Sequence, residues 1–311
     1  MYMIYFELTI NKYIKSCHEK CDRIFLYNIK PMNKNVTIQG VAGCFHEAAA
    51  KEYFKGEEID LIPCDTFPIL FDKLKYDASL LGIIAIENTI AGSLLQNHEL
   101  LRQSNLRIIG EHQMYISHVL CALPGQTIDE LTEVNSHPMA LMQCEQYLLK
   151  HNNLKMVEAS DTAGSAQYIA ENNLKGHAAV CGKYAAELYG LNILDEDIQT
   201  NKRNFTRFLI VADPLEAEEL TKGKKINKAS MAFTLPHTHG SLSKILTIFS
   251  FYDINLTKIQ SMPIIGREWE YRFYIDVTFD DYMRYKQSID AVRPLISEFK
   301  ILGEYSEYVK E

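Results

Sequence analysis

From residue 36 to residue 181, short apolar runs alternate with stretches whose apolar positions recur at helical spacing. That alternation restricts the chain to an open α/β sheet architecture. Residues 36–39, 59–63, 81–86 and 106–109 read as strands, with helices over 45–54, 67–74 and 93–103 between them. The run 81–86 is apolar without a break, the pattern of a strand buried on both faces of a sheet. A second set follows: a strand over 116–123 closed by the turn signal Pro124-Gly125, then a helix opened by Ser136-His137-Pro138 and running to 150. Ser136 is the expected N-cap there, with Pro138 in the first turn. A strand over 154–158, a helix over 161–171 and a strand over 177–181 complete the set. Two α/β lobes with a cleft between them are the simplest arrangement.

Composition shifts at 214–228, which is rich in Glu and Lys and poor in large apolar residues after Leu220. That segment reads as a linker. Beyond it the order is strand 229–235, helix 241–251, strands 255–261 and 271–279, helix 282–298 and strand 301–308, a ferredoxin-like βαββαβ pattern. The expected organisation is therefore a catalytic region over 35–213, the linker, and a small module over 229–308. Lobe one takes about 35–112 plus a returning strand over 204–213, and lobe two takes 113–200. Residues 1–34 show no clear period and lack the basic start, apolar middle and cleavage site of a secretory signal. The expectation is that Met32 is the true start and that 1–34 is an extension outside the fold.

Several function classes are excluded on composition. No stretch approaches the roughly 20 apolar residues of a membrane-spanning helix. A net charge of −8 argues against nucleic acid or an anionic membrane as a bulk partner. Seven cysteines, an odd number without Cys-x-x-Cys pairs, argue against a disulfide framework and for a reducing cytoplasm. There is no His-Glu-x-x-His, no clustered carboxylates and no Ser/His/Asp order, so neither a metal nor a cofactor is expected.

Five segments carry the chemistry that remains. Gly40-Val41-Ala42-Gly43 lies between a strand and a helix, where its amides can face an anion or simply make a tight turn. Glu87-Asn88-Thr89, with Gly92, ends the buried strand, and strand ends are where open α/β sheets bind ligands. Ser136-His137 and Thr162-Ala163 open helices whose amides and positive dipole ends suit carboxylates. Asn204-Phe205-Thr206-Arg207-Phe208 places a hydroxyl and a guanidinium at the entrance to a strand. Together they describe a site for a small dianion.

These segments follow, in order, the motifs of the prephenate dehydratase family, and the resemblance runs from residue 36 to 308. Ala85-Ile86-Glu87-Asn88-Thr89-Ile90-Ala91-Gly92-Ser93 resembles its PIENSxxGS segment, and Ser136-His137-Pro138-Met139-Ala140-Leu141-Met142-Gln143-Cys144 its SHPQALxQC segment. Asp161-Thr162-Ala163-Gly164-Ser165-Ala166 is similar to STAxAA, and Thr206-Arg207-Phe208 is the family's TRF triplet. The C-terminal segment resembles the regulatory ACT module that accompanies these enzymes.

The resemblance implies a two-lobed catalytic fold like the type 2 periplasmic binding proteins, and conversion of prephenate to phenylpyruvate, carbon dioxide and water. It makes Thr206, Arg207 and Phe208 catalytic, with Thr206 assisting the leaving hydroxyl and Arg207 forking onto a substrate carboxylate. Glu87, Asn88, Thr89, Gly92, Ser136, His137, Thr162, Ala163 and Asn204 would bind the substrate. Arogenate, the aminated counterpart, is the alternative substrate; a silent ligand-binding protein is the alternative of another class. In the ACT module the resemblance points to L-phenylalanine as allosteric inhibitor at Gly240, Ser241, Leu242, Asn255, Gln260 and Ser261, and to a homodimer or homotetramer. Gln260 and Met262 stand where the family's ESRP segment carries Glu and Arg, which removes both charges.

Overall fold

The uninterrupted apolar run forms a strand, Leu81–Asn88, whose first six residues are all buried. Its odd and even residues feed two different cores. Ile83 and Ala85 join one, and Ile84 and Ile86 join the other. The computed structural model describes residues 33–309, so the expectation for 1–34 lies almost wholly outside the described residues.

Lobe one is built from β1 (Lys34–Gln39), α1 (Phe45–Tyr53), β2 (Ile59–Cys64), α2 (Phe67–Tyr76), β3 (Leu81–Asn88), β4 (Gly92–Ser93), α3 (Leu95–Gln103) and β5 (Arg107–Tyr115). Lobe two holds β6 (Val119–Ala122), β7 (Glu133–Ser136), α4 (Pro138–Gln143), α5 (Glu145–Leu148), β8 (Lys155–Glu158), α6 (Thr162–Glu171), β9 (His177–Cys181), α7 (Lys183–Leu188) and β10 (Asn192–Asp195). The chain returns as β11 (Phe205–Ala212), passes through α8 (Pro214–Thr221) and enters the C-terminal module. That module is β12 (Lys228–Thr234), α9 (Ser241–Phe251), β13 (Asn255–Pro263), β14 (Tyr271–Thr278), α10 (Tyr282–Val292) and β15 (Ser297–Tyr305), the βαββαβ order expected.

Lobe two has its own five-stranded sheet, ordered β10-β6-β9-β7-β8. Lobe one and the C-terminal module share a single sheet, ordered β13-β14-β12-β15-β5-β11-β3-β1-β2, with β4 paired to β3. The joint is the parallel contact of β15 with β5, where Gly303 lies opposite Ile108. One apolar core crosses this joint. Ile84, Ile86, Leu209 and Val211 of lobe one pack with Ala232, Tyr274, Leu302 and Tyr305 of the module. Burial of each such large side chain contributes about 1.5–3 kcal/mol, so the module is packed against the lobe and not merely tethered to it.

The segment read as a linker, 214–228, departs from expectation. Asp213 caps a helix by accepting the Leu215 N–H at 3.0 Å, Pro214 takes the first helical position, and Ala217 is buried. The helix expected up to 150 is broken at Cys144. The Gln143 carbonyl accepts the Thr200 N–H at 2.8 Å from the returning chain, outside the helical hydrogen-bond ladder. The helix expected up to 298 stops at Val292, because Pro294 allows only a 3₁₀ turn over Arg293–Leu295 before β15 begins.

The two lobes meet closely where Gly43 faces α7. A side chain there would lie 3.1 Å from the Ala185 Cα, and φ at Gly43 is 88°. The joint between β15 and β5 is tighter still, since a Cβ on Gly303 would sit 2.4 Å from the Ile108 carbonyl oxygen. Gly303→Val is expected to cost about 3 kcal/mol or more, at or beyond the usual range for overpacking, because the obstacle is backbone. Denaturant unfolding of the full chain measures this, and a change under about 0.5 kcal/mol, the scatter of neutral surface changes, would mean the joint gives way freely.

Candidate active site

Strand β11 runs antiparallel between β3 and β5 and reaches the end of β3 with Thr206 opposite Asn88. Alternation then sends Thr206 and Phe208 to one face and Arg207 to the other. The face carrying Thr206 and Phe208 lines a cavity of about 600 Å³. His46, Asp65 and Asn88 of lobe one, His137, Asp161 and Thr162 of lobe two, and Ile116 and His118 between the lobes also border it. That volume suits a small-molecule ligand, for which cavities of roughly 300–1,000 Å³ are usual.

A hydrogen-bonded chain crosses the base of the cavity, and its polarity is set from one end. Asn88 Oδ1 accepts the Ile90 and Ala91 N–H groups, each at 2.9 Å, so Asn88 Nδ2 must donate. It donates to Thr206 Oγ1 at 3.0 Å, to the Phe205 carbonyl at 3.2 Å and to Asn204 Oδ1 at 2.8 Å. Asn204 Nδ2 in turn donates to Gln143 Oε1 at 2.9 Å, and the same oxygen accepts the His118 Nε2–H at 2.9 Å. Asn204 is fully buried, and Asn88 and Gln143 nearly so. Two consequences follow. Thr206 has its oxygen occupied as an acceptor and its proton free to donate. His118 donates from Nε2, its Nδ1 is buried without a partner among the described residues, and burial lowers its pKa.

No Lys or Arg borders the cavity among the described residues. Residues at the starts of α1, α2, α3 and α6 all border it, each helix offering unpaired N–H groups and a positive dipole end. Thr66 caps α2, accepting from Ile69 at 3.5 Å, and Asp161 caps α6, its Oδ1 accepting the Gly164 N–H at 2.7 Å. Asp161 Oδ2 has no hydrogen bond among the described residues. His46 Nε2 accepts the Ala85 N–H at 3.3 Å, and its ring meets Phe67 and Phe208 edge-on. Burial lowers its pKa to about 4, so it is neutral at pH 7. Burial pushes the Cys44 thiol up to about 12, which keeps it protonated and unreactive.

Several expected site residues are placed otherwise. The Arg207 guanidinium does not reach the cavity; it is held by Glu111 at 2.7 Å, Asp276 at 2.5 Å and the Tyr305 hydroxyl at 3.1 Å. Glu87, its neighbour across the ladder, faces the same way and pairs with Lys258. Strand alternation is the reason in both cases. Ser136 is neither the N-cap nor a cavity residue: its hydroxyl donates to the Val180 carbonyl at 2.5 Å, and His137 takes the cap, Nδ1 accepting the Met139 N–H at 3.2 Å. Thr89 is used to clamp β11, donating to the Arg203 carbonyl and accepting from Phe205 N–H, each at 2.9 Å. Ala163 is buried behind the start of α6, and Gly92 forms the turn pairing with Asn88. Gly240, Ser241 and Leu242 open α9, and Asn255, Gln260 and Ser261 lie along β13, the last strand of the shared sheet.

Sequence reasoning passed over His46, His118, Gln143 and Asp65. Gln143 lay inside the quoted SHP motif, and its amide spacing from His137 was the available signal. His118 sat in an apolar run and read as core.

Fold and cavity together define a two-lobed α/β protein with a small-molecule-sized cavity between its lobes and a ferredoxin-like module joined to lobe one. The family model described as prephenate dehydratase matches residues 36–215, and the chain belongs to that family. Arogenate dehydratase 1 of Petunia hybrida is 38% identical over 289 residues, covering 87% of this chain and 66% of that protein's length. Among solved structures, the prephenate dehydratase of Arthrobacter aurescens, determined in complex with L-Phe, superposes with a TM-score of 0.76 at 28% identity, over 88% of this chain and 89% of that one. GqqA, described as a novel type of quorum-quenching acylase, also gives 0.76, at 26% identity over 88% and 98%.

The buried imidazoles make stability pH-dependent. Burial lowers the His46 pKa to about 4 and, with repulsion from Lys258, that of His98 to about 3. An unfolded histidine titrates near 6.5, so below that pH the unfolded chain binds protons that the folded chain refuses. Stability is then full above pH 6.5 and falls by about 1.4 kcal/mol per pH unit per histidine as pH drops toward 4. His46→Gln is expected to lower that slope by one histidine's share, read from urea unfolding at a series of pH values. An unchanged slope would mean that His46 takes up its proton in the folded state.

Proposed function

We propose that this chain catalyses the decarboxylating dehydration of a prephenate-type cyclohexadiene to its aromatic product. With prephenate, the bond from the quaternary ring carbon to its carboxylate breaks, and carbon dioxide leaves. The electron pair moves through the ring to expel the para hydroxyl, which takes up a proton to become water. Phenylpyruvate remains. Aromatisation drives the reaction, so the protein has only to hold the anion, exclude water and stabilise the departing oxygen.

The observation that carries this reading is the Thr206 hydroxyl. Its oxygen is already hydrogen-bonded to Asn88, and its proton is available at the cavity wall. A threonine is too weak an acid to protonate hydroxide outright, but a fixed donor stabilises the charge as it develops. The helix N-termini supply the matching field for the carboxylates. Acyl-amide hydrolysis, the activity in the name of one structural neighbour, has less support: the cavity thiol is raised to about 12, and Thr206 is partnered by an amide in place of a base. Thr206→Ala is expected to lower kcat by about 100-fold with little change in KM, the cost of one preorganised donor. Phenylpyruvate release from prephenate measures it; full activity in the variant would remove Thr206 from the mechanism.

A second substrate reading has its own observation. Asp161 borders the cavity with one carboxylate oxygen unpaired among the described residues, and no side-chain cation borders the site to meet two substrate carboxylates. Arogenate carries the same two carboxylates as prephenate, but its α-ammonium would pair with Asp161 and lower the net negative charge the site has to hold. Asp161→Asn keeps the helix cap and removes the charge. The ratio of kcat/KM for arogenate over prephenate is expected to fall by about 10-fold or more, the worth of one charge-assisted hydrogen bond. An unchanged ratio would discard the pairing while leaving the reaction class in place.

The C-terminal module fits the role of an ACT-type sensor of L-phenylalanine, and the outer edge of β13, unpaired among the described residues, fits pairing with a second copy into a homodimer or homotetramer. The L-Phe complex of the Arthrobacter neighbour supports the effector. Five described cysteines, all free and buried, support a reducing cytoplasm, and no described helix is long and apolar enough to cross a membrane.

A further inference from the structure

The face of β11 turned away from the cavity carries a buried charge network with no part in the chemistry above. Three ion pairs straddle the joint between lobe one and the C-terminal module. Arg207 pairs with Asp276 of β14 at 2.5 Å, Glu111 with Lys228 of β12 at 2.8 Å, and Glu87 with Lys258 of β13. Three cations face three carboxylates, so the charges balance. Arg207 also bonds Glu111 at 2.7 Å, which closes the first two pairs into one network, and the Tyr305 hydroxyl is shared between Arg207 and Ser230. Glu111 is fully buried, and the Asp276 and Arg207 side chains are only 8% and 11% exposed. Burial alone would raise the Asp276 carboxyl, yet the adjacent guanidinium holds it below its usual range.

The position of this network along β11 matters more than its strength. The register of β11 on β3 shifts between Arg207 and Phe208, next to Thr206. The extra residue is Ile86 of β3, so the ladder on that side is interrupted beside Arg207, while β11 stays in register with β5 there. The anchor on Arg207 acts at this interruption, one residue away from the hydroxyl donor.

We propose that Asp276 is a positioning residue for Thr206: by holding Arg207 from the C-terminal module, it fixes the end of β11 that faces the interrupted β3 ladder, and with it the direction of the Thr206 hydroxyl. The module is thus part of the catalytic framework, whatever effector it senses. The inference rests on the dehydratase reading, with Thr206 as leaving-group donor.

The test is a double-mutant cycle in the full chain, with prephenate and arogenate each assayed as substrate. Asp276→Asn keeps the shape and removes the charge. It is expected to lower kcat about 10- to 100-fold on the substrate that wild type prefers, with KM changed less than about 3-fold. In the Thr206→Ala background the same substitution is expected to lower kcat by less than about 2-fold, because the group it orients is gone. A purely structural role would give equal factors in both backgrounds, and that result, or full activity in Asp276→Asn, overturns the proposal. If Asp276→Asn does not fold, Tyr305→Phe removes one hydrogen bond from the same guanidinium and no charge. It should lower kcat several-fold with Thr206 present and not in its absence; equal factors again overturn the proposal. Wild type inactive on both substrates would overturn the dehydratase reading beneath it, a result distinct from equal factors in an active enzyme.

Discussion

A guanidinium almost out of reach of water ties the molecule together. Arg207 sits among Glu111, Asp276, Glu87 and Tyr305, where lobe one and the C-terminal module share a sheet. Taking these ions out of water costs several kcal/mol each, and their mutual attraction roughly offsets that cost without exceeding it by much. Apolar residues of similar volume would hold the joint as well. What the charges add is direction: an Arg with three hydrogen-bond partners has one place to be, and an unpaired carboxylate in the same core would be intolerable. The apolar core beneath, with Leu209, Tyr274 and Leu302, supplies the adhesion.

Strand β11 therefore serves two masters through simple alternation. Thr206 and Phe208 look into the cavity while Arg207 looks into the joint, and the strand is locked by β3 and β5 on either side. The cavity face adds a second lock in the chain from Asn88 through Asn204 to Gln143 and His118, which joins lobe one, the crossing segments and lobe two. Each buried amide in that chain has its donors and acceptors assigned by the backbone at Ile90 and Ala91. A chain with fixed polarity can present a proton at one end and a bare acceptor at the other without any charged group.

Much of the fold was legible because apolar period and turn chemistry agreed. The run at Leu81–Asn88, the strand His177–Cys181 and the helix Ser241–Phe251 all sit where hydrophobic pattern puts them. The failures have a common cause, polar letters that tertiary contacts made structural. β5 runs to Tyr115 although Glu111 and His112 read as the end of a strand; both are buried because Lys228, Arg207 and Glu52 meet them. The Glu-rich segment after Pro214 read as linker because a single buried Ala217 leaves almost no hydrophobic stripe. Of the site, motif order indicated the segments but could not give the side of the strand. Assigning Arg207 and Glu87 to the substrate put each on the face of its chain neighbour, Thr206 or Asn88, whereas a strand sends consecutive residues to opposite faces. His46 and His118 carry no local signal, since a lone histidine in an apolar run looks like core until the cavity beside it is seen.

The distribution of charge between the two faces of β11 bears on how the site holds its ligand. The nearby cations Arg207, Lys228 and Lys258 are neutralised on the joint face and lend little field to the cavity. The cavity instead draws on helix N-termini, whose partial charges act over the first turn only. Such a field suits a carboxylate placed directly against backbone amides and gives little to one lying further off. A second carboxylate of the same ligand would meet Asp161 or Asp65 as readily as an amide, and an ammonium would be welcome there. The same economy fits the neutral His46 and Cys44, both of which burial keeps uncharged beside the cavity. On the proposed reaction the departing oxygen turns to the Thr206 hydroxyl, and on the proposed role of Asp276 the direction of that hydroxyl is set from the far side of the strand.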